Sequence, residues 1–262
     1  MSLREKMRKG PVFGLACFTG APGVVELAGR WDFDFVYLDL EHTPIGVGAE
    51  IERQILAARS VGLPALVRLT GANEVEIRKI LEMGAEGVVI PHVRSKAEAE
   101  LCVRAAKFPP LGRRGAEAAV RAAGFGGPGF AWEDYVRRQN EETLVIPMAE
   151  DHEFLDDLDG ILSVPGIDAI NFGPLDWALS IGAPIRYRLE EPRLVDAFER
   201  IEKAARAKGI GILSPVVPAT AEHLDDMLGR GVTMVICGND MGLLNAGLKG
   251  IVEGGVAARR AG

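Results

Sequence analysis

The sequence predicts a (β/α)8 barrel, or TIM barrel, formed by a single domain that spans residues 1–262. Eight short apolar runs alternate with segments of helical periodicity along the chain. Most of these runs are almost continuously apolar, which is typical of strands buried on both faces of a parallel sheet. A length of 262 residues is also usual for one such barrel. No Gly-x-Gly-x-x-Gly follows the first strand, which disfavours an open nucleotide-binding sheet.

The predicted strands are spaced so that each is followed by room for a helix. They are Val12–Phe18, Phe35–Leu40, Ala65–Leu69, Gly87–Val93, Leu144–Glu150, Ala169–Phe172, Gly211–Pro215 and Thr233–Cys237. The first strand follows a basic segment, as the apolar part of an export signal would. Because Gly20, Pro22 and Gly23 interrupt the apolar run, we interpret it as a strand.

The segments between the strands have the periodicity and the end signals of helices. Ile77, Ile80 and Leu81 show the i, i+3, i+4 spacing of a buried helix face. Glycines that suit left-handed caps follow several segments, at Gly62, Gly84, Gly166, Gly209 and Gly231. The one irregular stretch is Pro109–Thr143, and a connection of this length is typical of a functional loop or an oligomer contact.

Charge and composition exclude several classes of protein. The net charge is −7, with acidic and basic residues interleaved, so no basic stripe is present to neutralise a nucleic acid. No apolar stretch approaches the length of a membrane span, and we expect no membrane partner. The three cysteines are far apart and form no Cys-x-x-Cys pair. We therefore expect a reduced, cytoplasmic compartment without a disulfide or zinc framework.

Polar residues follow four of the predicted strands. The second strand ends in Asp39-Leu40-Glu41-His42, and the third contains Arg68. The fifth ends in Glu150, and the sixth leads into the segment Gly173–Asp176. Because catalytic residues of TIM barrels lie at the carboxyl ends of strands, we expect a histidine, an arginine and two or more carboxylates at one barrel mouth.

This set of side chains suits chemistry next to a 2-oxo acid. Two carboxylates and water form an oxygen-rich site for Mg²⁺, Mn²⁺ or a similar divalent cation. An arginine beside a keto oxygen can stabilise an enolate, and a histidine can move the proton of a hydroxyl group. Strand alternation favours His42 for this proton transfer, with Asp39 and Glu41 in support. Backbone N–H groups at the helix start after Gly173-Pro174 can bind a carboxylate.

Each residue also has a simpler interpretation. Glu150 could stabilise the first turn of a helix near His152, and Asp176 could cap a helix after the Gly-Pro turn. His92, His152 and His223 show no metal-ligand spacing among themselves. No lysine ends the sixth apolar run, which disfavours a Schiff-base aldolase. The occurrence of polar residues after four separate strands nevertheless favours one common site.

An ordered set of motifs runs along nearly the whole chain. These are D-x-E-H at Asp39–His42, Arg68, M-G-A-E-G-V-V-I-P at Met83–Pro91, P-P-x-G-x-R-G at Pro109–Gly115, Glu150, and G-I-D-A-I-N-F-G-P-L-D at Gly166–Asp176. Through these motifs taken together, and not through any one of them, the chain resembles the HpcH/HpaI family of class II pyruvate aldolases.

The resemblance implies a metal-dependent aldolase that reversibly cleaves 4-hydroxy-2-oxo acids to pyruvate and an aldehyde without a Schiff base. Glu150 and Asp176 correspond to the ligands of a divalent cation, Mg²⁺, Mn²⁺ or Co²⁺. Arg68 corresponds to the arginine that stabilises the enolate, and His42 to the catalytic histidine. The expected partners are therefore a small 2-oxo acid and an aldehyde.

The resemblance also implies contributions from the backbone and from neighbouring subunits. Gly173 and Leu175 correspond to positions that bind the pyruvate carboxylate. The family forms homo-oligomers, so we expect a hexamer or a trimer-based assembly in which the last helix, within Gly242–Arg260, is exchanged. Arg121 lies where an arginine of some relatives reaches a neighbour's site, and Glu82 lies where relatives have an aspartate that partners the histidine.

Two departures from the family pattern affect the expected site. Met148 replaces a glutamine that relatives carry two residues before the metal-binding glutamate, which removes a polar group near the metal. Trp177 follows the metal-binding aspartate, and we expect this large aromatic side chain to reshape the mouth. Two alternative functions remain open: a lyase of malyl-CoA or citramalyl-CoA type on the same fold, and a barrel that binds a 2-oxo acid without catalysis.

Overall fold

The computed structural model describes residues 1–260 and shows a closed barrel of eight parallel strands. Each strand pairs with the next in sequence, and the eighth closes the barrel by pairing with the first. Helices surround this sheet, so the predicted (β/α)8 fold is confirmed. Among the described residues, no helix is both long enough and apolar enough to span a membrane.

All eight predicted strands are present. They are β1 (Val12–Cys17), β2 (Phe35–Asp39), β3 (Ala65–Arg68), β4 (Gly87–Ile90), β5 (Leu144–Ala149), β6 (Ala169–Phe172), β7 (Gly211–Pro215) and β8 (Met234–Asn239). The strands β1 to β5 end one to three residues earlier than predicted, and β8 ends two residues later. After β2, the backbone N–H groups of Glu41 and His42 donate to the Asp39 carboxylate rather than to a neighbouring strand.

Within residues 1–260, thirteen α-helices lie between or beside the strands. They are α1 (Leu3–Met7), α2 (Pro22–Arg30), α3 (Ala49–Ser60), α4 (Glu74–Met83), α5 (Lys96–Ala106), α6 (Trp132–Glu142), α7 (Glu153–Asp156), α8 (Leu158–Leu162), α9 (Pro174–Ser180), α10 (Pro192–Ala207), α11 (Ala221–Gly229), α12 (Asp240–Ile251) and α13 (Ala257–Arg260). Local sequence sets their ends. Asn73 caps α4 by accepting two backbone N–H bonds, and Gly84 ends it in the left-handed region at φ 100°.

The inner wall of the barrel is built from every second residue of each strand. These inward side chains form one apolar cluster that is separate from the layer between strands and helices. The cluster includes Ala16, Tyr37, Leu66, Met148, Leu213 and Ile236. The same alternation brings the side chains of Asp39, Arg68 and Glu150 inward at the carboxyl end, one layer above the apolar cluster.

The long irregular stretch Pro109–Thr143 contains more structure than the sequence indicates. A short 3₁₀ segment spans Arg121–Gly126, and α6 covers much of the remainder. Arg114 is buried here, with its guanidinium 4.9 Å from the centre of the Phe108 ring and bonded to Gln139. Arg114, the arginine of the P-P-x-G-x-R-G motif, therefore stabilises this loop rather than the barrel mouth.

The helix α12 leaves an apolar face uncovered. Leu243, Leu248 and Ile251 are 60%, 62% and 65% exposed. Between α12 and α2 lies a groove of about 450 Å³, whose lining includes Leu27 and Trp31. Monomeric proteins seldom expose apolar side chains in such a continuous patch.

Candidate active site

The carboxyl ends of the strands enclose one small cavity of about 150 Å³. Five of the residues predicted for the site line it: His42, Arg68, Gly173, Leu175 and Asp176. They come from β2, β3 and β6 and from the loops that follow, so residues distant in sequence converge at the mouth. A cavity of this size suits a small substrate fragment.

Arg68 is held in a fixed orientation by two carboxylates. Its Nε atom donates to Asp39 Oδ1 at 2.6 Å, and its Nη1 atom lies 3.0 Å from Glu41 Oε2. The guanidinium also lies over the ring of Tyr37 at 5.6 Å. Burial by itself lowers the pKa of Arg68, but Tyr37, Asp39 and Glu41 outweigh it and raise this pKa. A permanently charged donor therefore faces the cavity.

Asp39 organises the turn after β2 as well as the arginine. Its Oδ1 atom accepts from the backbone N–H of Glu41, and its Oδ2 atom accepts from that of His42 at 3.0 Å. Its carbonyl oxygen accepts from the Thr43 hydroxyl at 2.6 Å. The geometry agrees with a supporting role, because all these bonds position other residues and Asp39 itself is buried.

Glu150 is a buried carboxylate with one oxygen engaged. It is 1% exposed, and its Oε1 atom accepts from the backbone N–H of His92 at 2.7 Å. Burial raises the pKa of Glu150 to about 7; Glu41 and Asp176 add to this, while His92 opposes it. A cation beside this carboxylate would remove the destabilisation that burial causes.

The space beside Glu150 is kept open by Gly173. A side-chain Cβ at this position would lie 3.1 Å from the Cβ atom of Glu150 and 3.2 Å from its Oε2 atom. Asp176 lines the same cavity in the first turn of α9, and its charge acts on Glu150. A buried carboxylate that faces a space without a side chain, with a second acid nearby, fits a hard divalent cation.

Sequence reasoning missed His92, which lies next to Glu150. Glu41, His92 and Glu150 offer ligand atoms that all lie within 4.8 Å of one another. His92 follows β4 with a left-handed backbone at φ 54°, and its Nδ1 atom lies 2.9 Å from Asp151 Oδ2. Its Nε2 atom lies 3.5 Å from Glu41 Oε1. The sequence predicts that the fourth strand continues to Val93, so His92 was not recognised as a residue that follows the end of a strand.

Glu150 belongs to two possible cation sites, one with Asp176 beside Gly173 and one with Glu41 and His92. The two sites differ in how many of their ligand atoms already have partners. The imidazole of His92 contacts Asp151 and Glu41, and Glu41 contacts Arg68. These atoms already have partners of opposite charge or hydrogen-bond partners. The Oε2 atom of Glu150, in contrast, faces Gly173 and accepts no hydrogen bond within residues 1–260. The side towards Asp176 is therefore better prepared for a cation.

The backbone near α9 offers donors for an anion, though not at every predicted position. The N–H of Gly173 donates to the carbonyl oxygen of Ala149 at 3.1 Å and is engaged in the sheet. Leu175 and Asp176 lie in the first turn of α9, where N–H groups have no acceptor within the helix. Gly173 therefore contributes open space, and the backbone N–H groups of Leu175 and Asp176 are the donors available to an anion.

His42 lies at the rim of the cavity. Its side chain is 57% exposed, and its Nε2 atom lies 3.8 Å from Glu41 Oε2. It therefore keeps a ring nitrogen accessible to a substrate hydroxyl. An accessible ring nitrogen at this position can accept a proton from a hydroxyl group bound in the cavity.

Three predicted residues lie away from the cavity. Glu82 is near the end of α4, which precedes the amino end of β4, and therefore lies at the opposite face of the barrel. Arg121 pairs with Glu52 on α3 at 3.0 Å. Trp177 is 1% exposed and stacks on Phe172, with ring centres 5.4 Å apart. The expectation that Trp177 reshapes the mouth is wrong, because its side chain packs into the layer beneath α9.

A TIM barrel with a buried arginine, a histidine and paired carboxylates at its mouth has the arrangement of an enzyme for small anionic substrates. The chain belongs to the HpcH/HpaI aldolase/citrate lyase family, whose model matches residues 18–246. The family expected from the sequence motifs is thus confirmed.

Relatives with known names agree with this assignment. The chain is 30% identical over 234 residues to 5-keto-4-deoxy-D-glucarate aldolase of Escherichia coli (strain K12), covering 88% of this chain and 87% of the relative. It is 32% identical over 189 residues to a hydroxypyruvate/pyruvate aldolase of Sagittula stellata, covering 71% and 73%. A crystal structure of an HpcH/HpaI aldolase from Desulfitobacterium hafniense DCB-2 superposes with a TM-score of 0.86, at 28% identity and 97% coverage of each chain.

Proposed function

We propose that this protein is an aldolase that reversibly cleaves a 4-hydroxy-2-oxo acid to pyruvate and an aldehyde, with the help of a divalent cation. The observation that carries the proposal is the convergence of Arg68, His42 and Asp176 on one small cavity, with Glu150 beside the cavity residue Gly173. These groups supply a donor to a developing enolate oxygen, a proton acceptor and two cation ligands. We also propose a cytoplasmic location, which three unpaired cysteine thiols support.

The chain's own residues account for binding and proton transfer. The N–H groups of Leu175 and Asp176 bind the substrate carboxylate, and Arg68 donates to the oxygen on carbon 2. His42 accepts the proton of the 4-hydroxyl as the bond between carbons 3 and 4 breaks, which releases the aldehyde. The electron pair of that bond forms the enolate, and a proton returned to carbon 3 completes pyruvate.

Glu150 and Asp176 are the residues that would hold the cation. Glu150 is oriented for this by the N–H of His92, which binds one of its oxygens and leaves the other towards Gly173. A bound Mg²⁺, Mn²⁺ or Co²⁺ supplies Lewis-acid polarisation of the substrate carbonyl. Carboxylate and water ligands suit hard cations such as Mg²⁺ and Mn²⁺.

The central test is a pyruvate-release assay with several 4-hydroxy-2-oxo acids. Lactate dehydrogenase reports pyruvate, and each reaction is run with the purified enzyme, after EDTA, and after re-addition of Mg²⁺, Mn²⁺ or Co²⁺. We expect release that EDTA abolishes and that at least one of these ions restores. Activity that EDTA leaves unchanged would contradict the role of the cation. If no substrate releases pyruvate, malyl-CoA and citramalyl-CoA test the lyase alternative, and their failure supports a barrel that binds without catalysis.

We further propose that the protein is a homo-oligomer in which α12 packs on a neighbouring subunit. The uncovered apolar face of α12 and the groove beside α2 support this, because each needs a covering surface. A trimer-based assembly or a hexamer is the expected form. In such an assembly Arg121 or Glu82 of one subunit could reach the mouth of another.

Charges placed on α12 are expected to disperse the oligomer. Leu244→Glu with Leu248→Glu puts two carboxylates into the apolar face, where burial against a neighbour would be unfavourable. Light scattering coupled to gel filtration should show a multiple of 28.1 kDa for the natural protein and about 28 kDa for the variant. Val75→Glu, on an exposed apolar residue of α4, is the matched control and should keep the oligomer. A monomeric natural protein would contradict the proposal.

A further inference from the structure

One buried carboxylate joins the start of α12 to the loop after β1. Asp240 is the first residue of α12 and is 2% exposed. Its Oδ1 atom accepts from the backbone N–H groups of Phe18 and Met241, each at 2.9 Å. Its Oδ2 atom accepts from the N–H of Thr19 at 3.0 Å and from the Thr19 hydroxyl at 2.5 Å. Hydrogen bonds from both segments to one buried charge fix the two segments relative to each other.

The loop after β1 is held by this carboxylate rather than by the sheet. The strand β1 ends at Cys17, and the next two backbone N–H groups are those that donate to Asp240. The pairing of β1 with β8 is also irregular here, because its register shifts between Gly14 and Ala16. In the opposing segment of β8, Gly238 has a left-handed backbone at φ 121°. The position of the loop therefore depends on the side chain of Asp240.

The anchor at Asp240 has the cavity on one side and the apolar groove on the other. Phe18 lines the cavity and packs against the apolar cluster of the inner wall. Asn239 also lines the cavity, and it caps α12 by accepting from the N–H of Gly242 at 2.8 Å. Asp240 itself lines the groove between α12 and α2. A displacement of α12 is therefore passed directly to the wall of the cavity.

This wall has no part in the steps described above. The side chains assigned to the cation, the enolate and the proton belong to β2, β3, β5 and β6 and the loops that follow them. The lining that remains comes from β1, β7 and β8 and their loops, and it includes Phe18, Val217 and Asn239. The proposed function, on which this inference rests, requires space for an aldehyde next to carbon 3 of the pyruvate unit. The wall formed by these three residues is the part of the cavity left for the aldehyde.

We propose that Asp240 is a positioning residue that sets the wall next to the aldehyde and makes this wall depend on how α12 is packed. The apolar face of α12 is uncovered in one subunit, and its packing on a neighbouring subunit fixes the helix together with Asp240. Phe18 and Thr19 are then fixed through their hydrogen bonds to this carboxylate. Assembly thus lowers the KM for the aldehyde, whereas the cation site and the enolate, which depend on other strands, are unaffected.

The test separates aldehyde binding from enolate formation. In deuterium oxide, with the cation that restores pyruvate release, the enzyme removes a proton from carbon 3 of pyruvate and returns a deuteron. Proton NMR follows this exchange without any aldehyde. Synthesis with saturating pyruvate and varied glycolaldehyde or propanal gives kcat and the KM for the aldehyde.

Asp240→Asn is expected to raise the KM for the aldehyde roughly tenfold, because an amide has one acceptor oxygen and cannot accept from all the groups that the carboxylate binds. The exchange rate and the Mn²⁺ affinity should change by less than about twofold. An unchanged KM overturns the inference, and so does an equal loss of exchange and synthesis. If the natural protein shows neither exchange nor product, the proposed function fails and the inference with it, so the two failures are distinguishable.

Asp168→Asn is the matched control. The side chain of Asp168 is 6% exposed, and its Oδ2 atom accepts from the backbone N–H of Val145 at 2.9 Å, at the opposite end of the barrel. Both variants are expected to lower Tm, because each leaves buried groups poorly paired. Only Asp240→Asn should raise the KM for the aldehyde, which distinguishes positioning of the wall from a loss of stability.

A double-mutant cycle tests the dependence on α12. Leu244→Glu with Leu248→Glu, the change that disperses the oligomer, should raise the KM for the aldehyde about as much as Asp240→Asn does. All three substitutions together should raise this KM no further, because they act on the same wall through one anchor. An unchanged KM in the double variant, or effects that multiply when the substitutions are combined, overturns the dependence of the wall on α12.

Discussion

Glu150→Gln is expected to weaken Mn²⁺ binding at least about a hundredfold and to lower kcat/KM for pyruvate release by about a thousandfold or more. The amide keeps the shape of the side chain and can still accept the His92 N–H that Glu150 Oε1 accepts at 2.7 Å. It carries no charge, however, so the space beside Gly173 loses the anion that would neutralise a cation. Titration of the protein with Mn²⁺, followed by electron paramagnetic resonance, measures binding independently of turnover.

The control for this change is Glu153→Gln. Glu153 is a half-exposed acid on α7, three residues along the chain, and its replacement should alter neither Mn²⁺ affinity nor turnover. Asp176→Asn tests the second proposed ligand and should reproduce the loss in Glu150→Gln. If Glu41→Gln and His92→Gln abolish Mn²⁺ binding while Asp176→Asn keeps it, the cation lies in the cluster of Glu41, His92 and Glu150 instead.

The barrel could be predicted because its strands are buried on both faces. A run such as Val145–Met148 is continuously apolar and buried, so it does not show the spacing of an amphipathic helix. Each run is also too short for a buried helix. The ends of the strands were less predictable. Asp39 is the last residue of β2, and its carboxylate accepts hydrogen bonds from the N–H groups of Glu41 and His42. These bonds end the strand, and hydrophobic periodicity does not predict them.

The site was predictable where strand position alone decides the direction of a side chain. Arg68 and Asp39 face inward from the last residues of β3 and β2, and they pair across the register. Trp177 was mispredicted because it follows Asp176 directly in a helix. Neighbouring helical positions point about 100° apart, so Asp176 lines the cavity while Trp177 packs on Phe172.

His92 and Asn171 were missed for different reasons. His92 follows β4 with a left-handed backbone conformation, which is uncommon for residues other than glycine and cannot be inferred from periodicity. Asn171, a buried residue of β6 that lines the cavity, has a signal that could have been used. It shares the inward face of β6 with Gly173, and a polar residue on an inward face needs a partner. The absence of that partner is visible only once the opposing Met148 and Leu213 are placed beside it.

Arg68→Lys is expected to lower kcat by roughly a hundred- to a thousandfold while it leaves Mn²⁺ affinity nearly unchanged. Lysine keeps the charge but cannot both donate to Asp39, as Nε does at 2.6 Å, and present a second donor to the cavity. Its flexible ammonium group also loses the stacking over Tyr37. The donor to the enolate oxygen is therefore misplaced, although the cation ligands are intact. Steady-state kinetics and the Mn²⁺ titration together separate these two effects.

Arg94→Lys is the matched control for this variant. Arg94 pairs with Asp151 at 2.9 Å, and its side chain is 45% exposed, so we expect its replacement to change kcat by less than about threefold. A thermal melt of Arg68→Lys checks that the buried carboxylate of Asp39 remains paired, since an unpaired carboxylate at this depth would lower Tm. If Arg68→Lys folds normally and keeps kcat within about threefold of the natural enzyme, the enolate oxygen does not depend on a guanidinium donor. The proposed role of Arg68 would then have to be given up, whereas the cation site would stand on its own measurement.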